Sequence, residues 1–409
     1  MKKFLNIGLK VSIGLSVALL ALAQSQSLEF KAIALKGGMV RVTGIICSSP
    51  KSCAVATSTG TTSGSANGNV YTTNAQSITA LAVDGSFKSG NPTKLGLLGD
   101  ISFFGFSKVG TKIMARANTS NAFVAATGDV GQAKSWSVGS LGKTPGGLNR
   151  QIGIGTKDDR SVLFVDAYVT ESLDDIGAGA LWEAIWSPEG SPDGWYQLWR
   201  DSNKTLCSSV AGETKAGFRL SHGYVASDLS IIAYMTSGGA RVAPEKPGVC
   251  LSTDGGKRFY RSELAGLDDE DNNNENLNGV TCISSNTCFA FSGSYYRRSG
   301  TRNFIYYTTD AQKGIGSTWT SAKLPTMPDQ SVINNIFFAP DGKNGWAVGA
   351  IANASPLLLN TTDGGLNWKN TSSSIRALAP NALLLSGYAF DANNVWLGGD
   401  KDTLLTTTK

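Results

Sequence analysis

The chain has 409 residues, with 36 Lys or Arg against 31 Asp or Glu and a formal charge of +5. Three of those charges, Lys2, Lys3 and Lys10, lie in an acid-free N-terminal segment, which leaves about +2 for residues 24–409. A nearly neutral body has no electrostatic case for nucleic acid, and the single histidine, His222, leaves a multi-histidine metal centre without ligands.

At the N-terminus, the lysines precede an apolar run over 11–22 that closes on Ala21-Leu22-Ala23. This is the pattern of a secretory signal peptide with an A-x-A site and predicts cleavage after Ala23. The run is shorter than the roughly 20 apolar residues of a spanning helix. The product, residues 24–409, is expected to lack a membrane span and to reside in the periplasm or outside the cell. No cysteine stands at the cleavage point, the first being Cys47, so no lipid anchor is indicated.

All six cysteines follow that point, and four of them form two C-x5-C pairs, Cys47 with Cys53 and Cys282 with Cys288. Zinc sites use C-x2-4-C spacings with further Cys or His nearby, so disulfides are the expectation in an exported chain. Cys207 and Cys250 remain as a third pair, across a much longer span.

Around the two short pairs the sequence repeats itself. Residues 44–49, Cys53-Ala54-Val55 and Val70-Tyr71-Thr72-Thr73-Asn74-Ala75-Gln76 match residues 279–285, Cys288-Phe289-Ala290 and Tyr306-Tyr307-Thr308-Thr309-Asp310-Ala311-Gln312. A second theme, [ST]-x-D-x-G-x-x-[aromatic], occurs at Ser252 to Phe259, with Asp254, and at Thr361 to Trp368, with Asp363. Stretched copies place Asp129 before Trp136, Glu189 before Trp195 and Asp310 before Trp319. Taking Asn74, Asp129, Glu189, Asp254, Asp310 and Asp363 as equivalent gives steps of 55, 60, 65, 56 and 53 residues. That period suits a four-stranded propeller blade with variable loops.

The chemistry of this motif is that of a hairpin turn. A carboxylate accepts backbone N–H groups of its own turn, glycines supply left-handed backbone, and the aromatic (Trp136, Phe259, Trp319 or Trp368) covers the turn. These aspartates are therefore read as structural and not catalytic. Between them lie short strand-like segments, over 103–106, 162–165, 230–234, 333–338 and 346–348. Residues 171–186 are the best helical candidate, weakened by Gly177 and Gly179.

Near the C-terminus, Leu358-Leu359-Asn360-Thr361-Thr362 matches Leu404-Leu405-Thr406-Thr407-Thr408, and the last repeat lacks its outer strand. A strand over 28–35 is expected to fill that place and close the ring. The fold expected is all-β: a single propeller over residues 24–409, of seven four-stranded blades closed by the N-terminal strand. Six or eight blades stay open, because residues 201–247 are poorly patterned.

The run Gly345-Trp346-Ala347-Val348-Gly349, followed by the turn ending at Trp368, resembles Asp-box (BNR) propellers, and among them bacterial propellers similar to photosystem II assembly factors. The resemblance covers 279–409 well and the rest thinly. It implies a propeller strongly and an activity weakly, because propellers host many functions. Sialidases also carry Asp boxes, but their R-I-P signature has only Arg41-Val42-Thr43 to answer it here, without the proline.

Other constellations are thin. His222 has no serine nucleophile elbow to serve. The acidic run Asp268-Asp269-Glu270-Asp271 fails the calcium-loop pattern, with Asn274 in the glycine place and Val280 in the glutamate place. Tyr295, Tyr296, Arg297, Arg298 and Arg302 gather aromatic and cationic side chains, the types binding hot spots favour, in one loop of the best-marked repeat. The reading from sequence is an exported, non-catalytic binding or assembly protein without a cofactor, with another protein or a surface glycan as partner, monomeric or part of a complex. The alternative is a sialidase-like or other glycoside hydrolase.

Overall fold

In a computed structural model, the residues described are 28–35, 40–80 with short breaks, the strands between 102 and 264 with parts of their connections, and most of 277–409. Their 29 strands form seven sheets, each an antiparallel meander in chain order. Blades 1, 2 and 3 span 40–80, 102–142 and 149–200; blades 4, 5 and 6 span 218–263, 277–321 and 331–370. Blade 7 joins Leu384–Ala389, Val395–Gly399 and Leu404–Thr406 to an outer strand, Lys31–Ala32, from the other end of the chain. Lys31 stands opposite Thr406 and Ala32 opposite Leu405, and Ile33 N–H donates to the Leu404 carbonyl. The seam is thus a shared sheet, as the missing outer strand predicts.

First strands of successive blades pack side by side, and that of blade 7 packs back on Val40–Cys47 of blade 1, which makes the arrangement a closed propeller. Blade 4 is five-stranded because its first strand is split into Phe218–Leu220 and Tyr224–Val225, both paired to Ile232–Gly238.

The core lies between sheets. Strand periodicity sends alternate residues to opposite faces, so Leu357 and Leu359 pack with Phe289 and Ile305 of blade 5 while Leu358 packs with Leu384 and Leu397 of blade 7. Strands covered on both faces read as unbroken apolar runs, and Val395–Gly399 is buried throughout. The seam has its own cluster, with Val42, Ile45, Cys53 and Val55 against Trp396 and Leu404. Hydrogen bonds cross it from Ser386 Oγ to the Val42 carbonyl at 2.9 Å, from Trp396 Nε1 to the Pro50 carbonyl at 3.1 Å, and from Tyr388 Oη to the Cys47 carbonyl at 3.4 Å.

One segment departs from expectation. Of the helical candidate 171–186, residues Ala178–Trp186 are the third strand of blade 3, paired to Arg160–Ala167 on one side and Pro192–Arg200 on the other. Ala, Leu and Glu favour a helix locally, but the strand positions on both sides offer ladder hydrogen bonds, and tertiary pairing overrides the propensity.

A feature with no sequence signal recurs at the axis. The first strands of blades 1, 2, 3, 5, 6 and 7 each carry a bulge, at 42–44, 103–105, 151–153, 277–279, 333–335 and 384–386. A bulge bends and twists its strand, and it frees a residue to reach sideways. Asn334, in the bulge of blade 6, donates from Nδ2 to the Leu384 carbonyl in the bulge of blade 7 at 2.7 Å.

Candidate functional site

The repeated aspartates sit in equivalent places, between the third and fourth strands of their blades. At Asp363 one carboxylate oxygen accepts from Thr361 Oγ1 at 2.8 Å, Leu366 N–H at 3.2 Å and Asn367 N–H at 3.0 Å. The other accepts from Asn367 Nδ2 at 2.6 Å. Gly364 and Gly365 take φ of +76° and +88°, in the left-handed region that only glycine enters without cost. Asp254 repeats the scheme with Ser252 Oγ, Arg258 N–H and Arg258 Nε, all within 3.0 Å.

Blade 5 shows how the motif tolerates stretching. A 3-10 segment, Ala311–Gly316, is inserted, yet Asp310 still accepts from Thr308 Oγ1 at 2.7 Å and from Thr318 N–H at 2.9 Å. In all three turns the distal backbone donor immediately precedes the aromatic: Arg258 before Phe259, Thr318 before Trp319, Asn367 before Trp368. The aromatics differ. Trp368 is buried and donates from Nε1 to the Gly365 carbonyl at 2.9 Å, Trp319 is buried with no partner for its Nε1, and Phe259 is half-buried.

These bonds fix the charge state. Backbone donation from Thr318 and the Thr308 hydroxyl hold the Asp310 carboxyl at about 2, below its ordinary 3.8. Asp254 and Asp363 are also lowered; partial burial pulls each upward, and hydrogen bonds from Arg258 and Asn367 respectively outweigh it. All three are carboxylates at neutral pH, unsuited to donate a proton to a leaving group. Asp129 and Trp136 lie outside the described residues.

In blades 5 and 6 the first hairpin meets the aspartate turn: Ala311 N–H donates to the Asn286 carbonyl and Gly364 N–H to the Lys343 carbonyl. That hairpin is closed in two chemically distinct ways. In blades 1 and 5 it is closed by the disulfides Cys47–Cys53 and Cys282–Cys288. Blades 6 and 7 use an aspartate instead. Asp341 accepts from Lys343 N–H, Asn344 N–H and Asn344 Nδ2, and Asp391 accepts from Asn393 N–H, Asn394 N–H and Asn394 Nδ2. The sequence reading passed over these two, although D-x-x-N-x-W occurs both at Asp341 to Trp346 and at Asp391 to Trp396. Cys250 is also disulfide-bonded, and Cys207 lies outside the described residues.

The proposed contact residues Tyr295, Tyr296, Arg297, Arg298 and Arg302 lie outside the described residues, as do His222 and the acidic run 268–271. In sequence those contact residues fall between the strands Cys288–Ser292 and Ile305–Thr308. Among the described residues no group of three or more His, Cys, Asp or Glu is placed to hold a metal ion. No helix among them is long and apolar enough to cross a membrane.

One concave site stands out among the described residues, a groove of about 470 Å³ between blades 6 and 7. Its apolar lining comes from Leu28 and Phe30, just before the closing strand, and from Trp346, Leu358 and Ala392. The remaining lining is uncharged amide and hydroxyl, from the hairpins of both blades and the outer strand of blade 6. Trp346 is 2% exposed, and its indole N–H has no partner within the protein yet is not sealed from the surface as that of Trp319 is.

No family model matches the sequence, and no curated protein matches it. Among solved structures, the fold is similar to YCF48 from Cyanidioschyzon merolae, with a TM-score of 0.57 and 13% identity over 92% of this chain and 98% of that one. A structure of YCF48 bound to D1 peptide gives a TM-score of 0.56 and 12% identity, covering 93% and 97%. The GH74 xyloglucanase from Xanthomonas campestris gives a TM-score of 0.53 and 14% identity, over 91% of this chain and 52% of that one. At these identities the likeness is one of fold, and the fold is the β-propeller.

Proposed function

We propose that the chain is an exported, non-catalytic propeller that binds another protein or a surface glycan outside the cytoplasm. The observation that carries this reading is the state of the repeated aspartates. Among the described residues, every aspartate with a shifted pKa is lowered. Asp254, Asp310, Asp341, Asp363 and Asp391 all spend both lone-pair faces on their own turns. A glycosidase needs a carboxyl group whose pKa is raised. What the aspartates supply instead is a rigid ring, and rigid rings present loops for recognition. Disulfide-closed hairpins agree with an oxidising compartment, and the short apolar leader over 11–22 with the export route. The structure of YCF48 bound to D1 peptide illustrates that a propeller of this size serves peptide recognition in that protein.

The contact surface assigned to this role is the loop with Tyr295, Tyr296, Arg297, Arg298 and Arg302, whose residue types suit a protein partner. The test is a pull-down from the native envelope with the wild type and with Arg297 and Arg298 both replaced by Ala. A reproducible partner that the double variant loses supports the loop, since removing hot-spot side chains costs about 2 kcal/mol or more each. Release of sugar from a glycan panel by the purified protein overturns the non-catalytic reading.

A further inference from the structure

Building on the reading of the chain as a binding propeller, we infer that the groove between blades 6 and 7 is a site for a neutral oligosaccharide. Its lining includes an indole whose N–H no protein group accepts among the described residues. Trp368 and Trp396 satisfy their indole N–H groups on the Gly365 and Pro50 carbonyls, whereas that of Trp346, in a side chain 2% exposed at the groove, has no intramolecular partner. A donor that no protein acceptor claims, on a side chain lining a groove, is available to a ligand oxygen.

The rim offers both halves of further hydrogen bonds. Asn344 and Asn360 commit their amide nitrogens to Asp341 Oδ2 and the Gly345 carbonyl, which leaves their amide oxygens as acceptors. Asn370 commits its oxygen to Ser372 N–H and keeps its nitrogen as a donor. The side chains of Asn393 and Thr362, also in the lining, make no hydrogen bond within the protein. A sugar hydroxyl is donor and acceptor at once and matches such a mixture. Among the described residues no charged side chain lines the groove, so they offer neither a phosphate nor a carboxylate a counter-ion there.

Two observations favour sugar over polypeptide. An extended peptide is held chiefly by adding a strand to an open sheet edge. Here the outer strand of blade 6 is two residues, Lys369–Asn370, and the chain then folds back so that Thr371 N–H and Ser372 Oγ occupy the carbonyl and N–H of Leu358. The lining mixes apolar Leu28, Phe30 and Ala392 with these polar groups, a combination that suits a pyranose ring, with its C–H faces and hydroxyl rim. The volume of about 470 Å³ lies within the range of roughly 300–1,000 Å³ usual for ligand sites. The lining comes from both blades and from the closing segment, so the site exists only in the closed ring.

The experiment titrates the mature protein with neutral gluco-, xylo-, manno- and chito-oligosaccharides, read by tryptophan fluorescence and saturation-transfer NMR. It is repeated on Thr362→Ala with Asn393→Ala, both exposed lining positions whose side chains make no hydrogen bond among the described residues, and separately on Trp346→Phe, which removes the N–H and keeps an aromatic ring. The expected result is saturable binding of at least one class, weakened roughly tenfold or more in both variants with the melting temperature of the exposed double variant unchanged. Absence of binding across the panel overturns the inference, and so does binding that the variants retain in full. The envelope pull-down reports separately on the broader reading. A partner captured there, and lost with Arg297 and Arg298, keeps the binding propeller standing when the groove fails.

Discussion

Replacing Asp363 by Ala removes the acceptor for four donors at once: Thr361 Oγ1, Leu366 N–H, Asn367 N–H and Asn367 Nδ2. Of these, Thr361 Oγ1 belongs to a residue 1% exposed, whereas Asn367 Nδ2 lies at the exposed turn, where water can satisfy it. The other two are backbone N–H groups of the turn itself, whose loss releases the hairpin beside Gly364, Gly365 and buried Trp368. Counting roughly 0.5–1.5 kcal/mol for each of two lost backbone bonds gives an expected loss of about 1–3 kcal/mol. Urea unfolding followed by tryptophan fluorescence at pH 7 measures it. The effect carries a pH signature. The folded-state pKa of Asp363 lies below its ordinary value of 3.8, so its contribution is complete above the unfolded value and is lost as pH falls through the folded one. The stability gap between wild type and variant should therefore narrow in acid, below about pH 4. A variant as stable as wild type at pH 7, or a gap that stays constant into strong acid, refutes the turn-anchor assignment. So does a variant of unchanged stability that has lost its binding.

Other expectations follow from the same contacts. Gly365→Ala meets a φ of +88° and a Cβ directed into the Phe289 ring, so it should cost about 2–4 kcal/mol, more than Gly255→Ala, whose added Cβ meets nothing within 4 Å; equal effects in denaturant melts would sink the packing argument. Non-reducing peptide mapping should recover Cys47 linked to Cys53 and Cys282 to Cys288, and replacing either pair by Ser should cost about 2 kcal/mol, the loop entropy of so short a closure. Deleting residues 28–35 uncovers Leu404–Thr406 as an open edge and should produce concentration-dependent association on size exclusion; a deletion variant that stays monomeric and equally stable removes the seam from the stability argument.

Repeats made much of the fold legible. The spacing of Asn74, Asp254, Asp310 and Asp363 located the third hairpin of each blade because a carboxylate turn needs fixed residue types at fixed offsets. The truncated repeat at Leu404 pointed to the seam because a sheet edge must be covered. Residues 178–186 misled because their composition suits a helix and only the neighbouring strands settle the matter. The axial bulges carry no residue signature: Gly44, Gly105, Gly153 and Gly279 follow four of them, but Asn335 and Ser386 follow the others. The groove was invisible from sequence for a different reason. Its Trp346 reads as an ordinary core residue, and its walls are brought together from residues 28–30, 344–374 and 392–393 by ring closure alone.

The shared sheet of blade 7 also sets an order of events. If the chain crosses a membrane N-terminus first, Lys31–Ala32 emerges at the beginning and its partner Leu404–Thr406 almost at the end, so the last ladder cannot form until nearly every residue has been delivered. Until then six sheets can assemble by local pairing while the ring stays an open crescent, its two terminal faces bare. Pairings so distant in sequence are slow to find, and an exposed apolar face is hazardous while it waits. The disulfide-closed hairpin of blade 1 stands on one of those two faces, where Cys47 and Cys53 pack beside Trp396 once the ring has closed. A covalent clip that forms locally and early would hold that face in its docking shape throughout the wait, which makes Cys47 and Cys53 a kinetic device for assembly as much as a source of equilibrium stability.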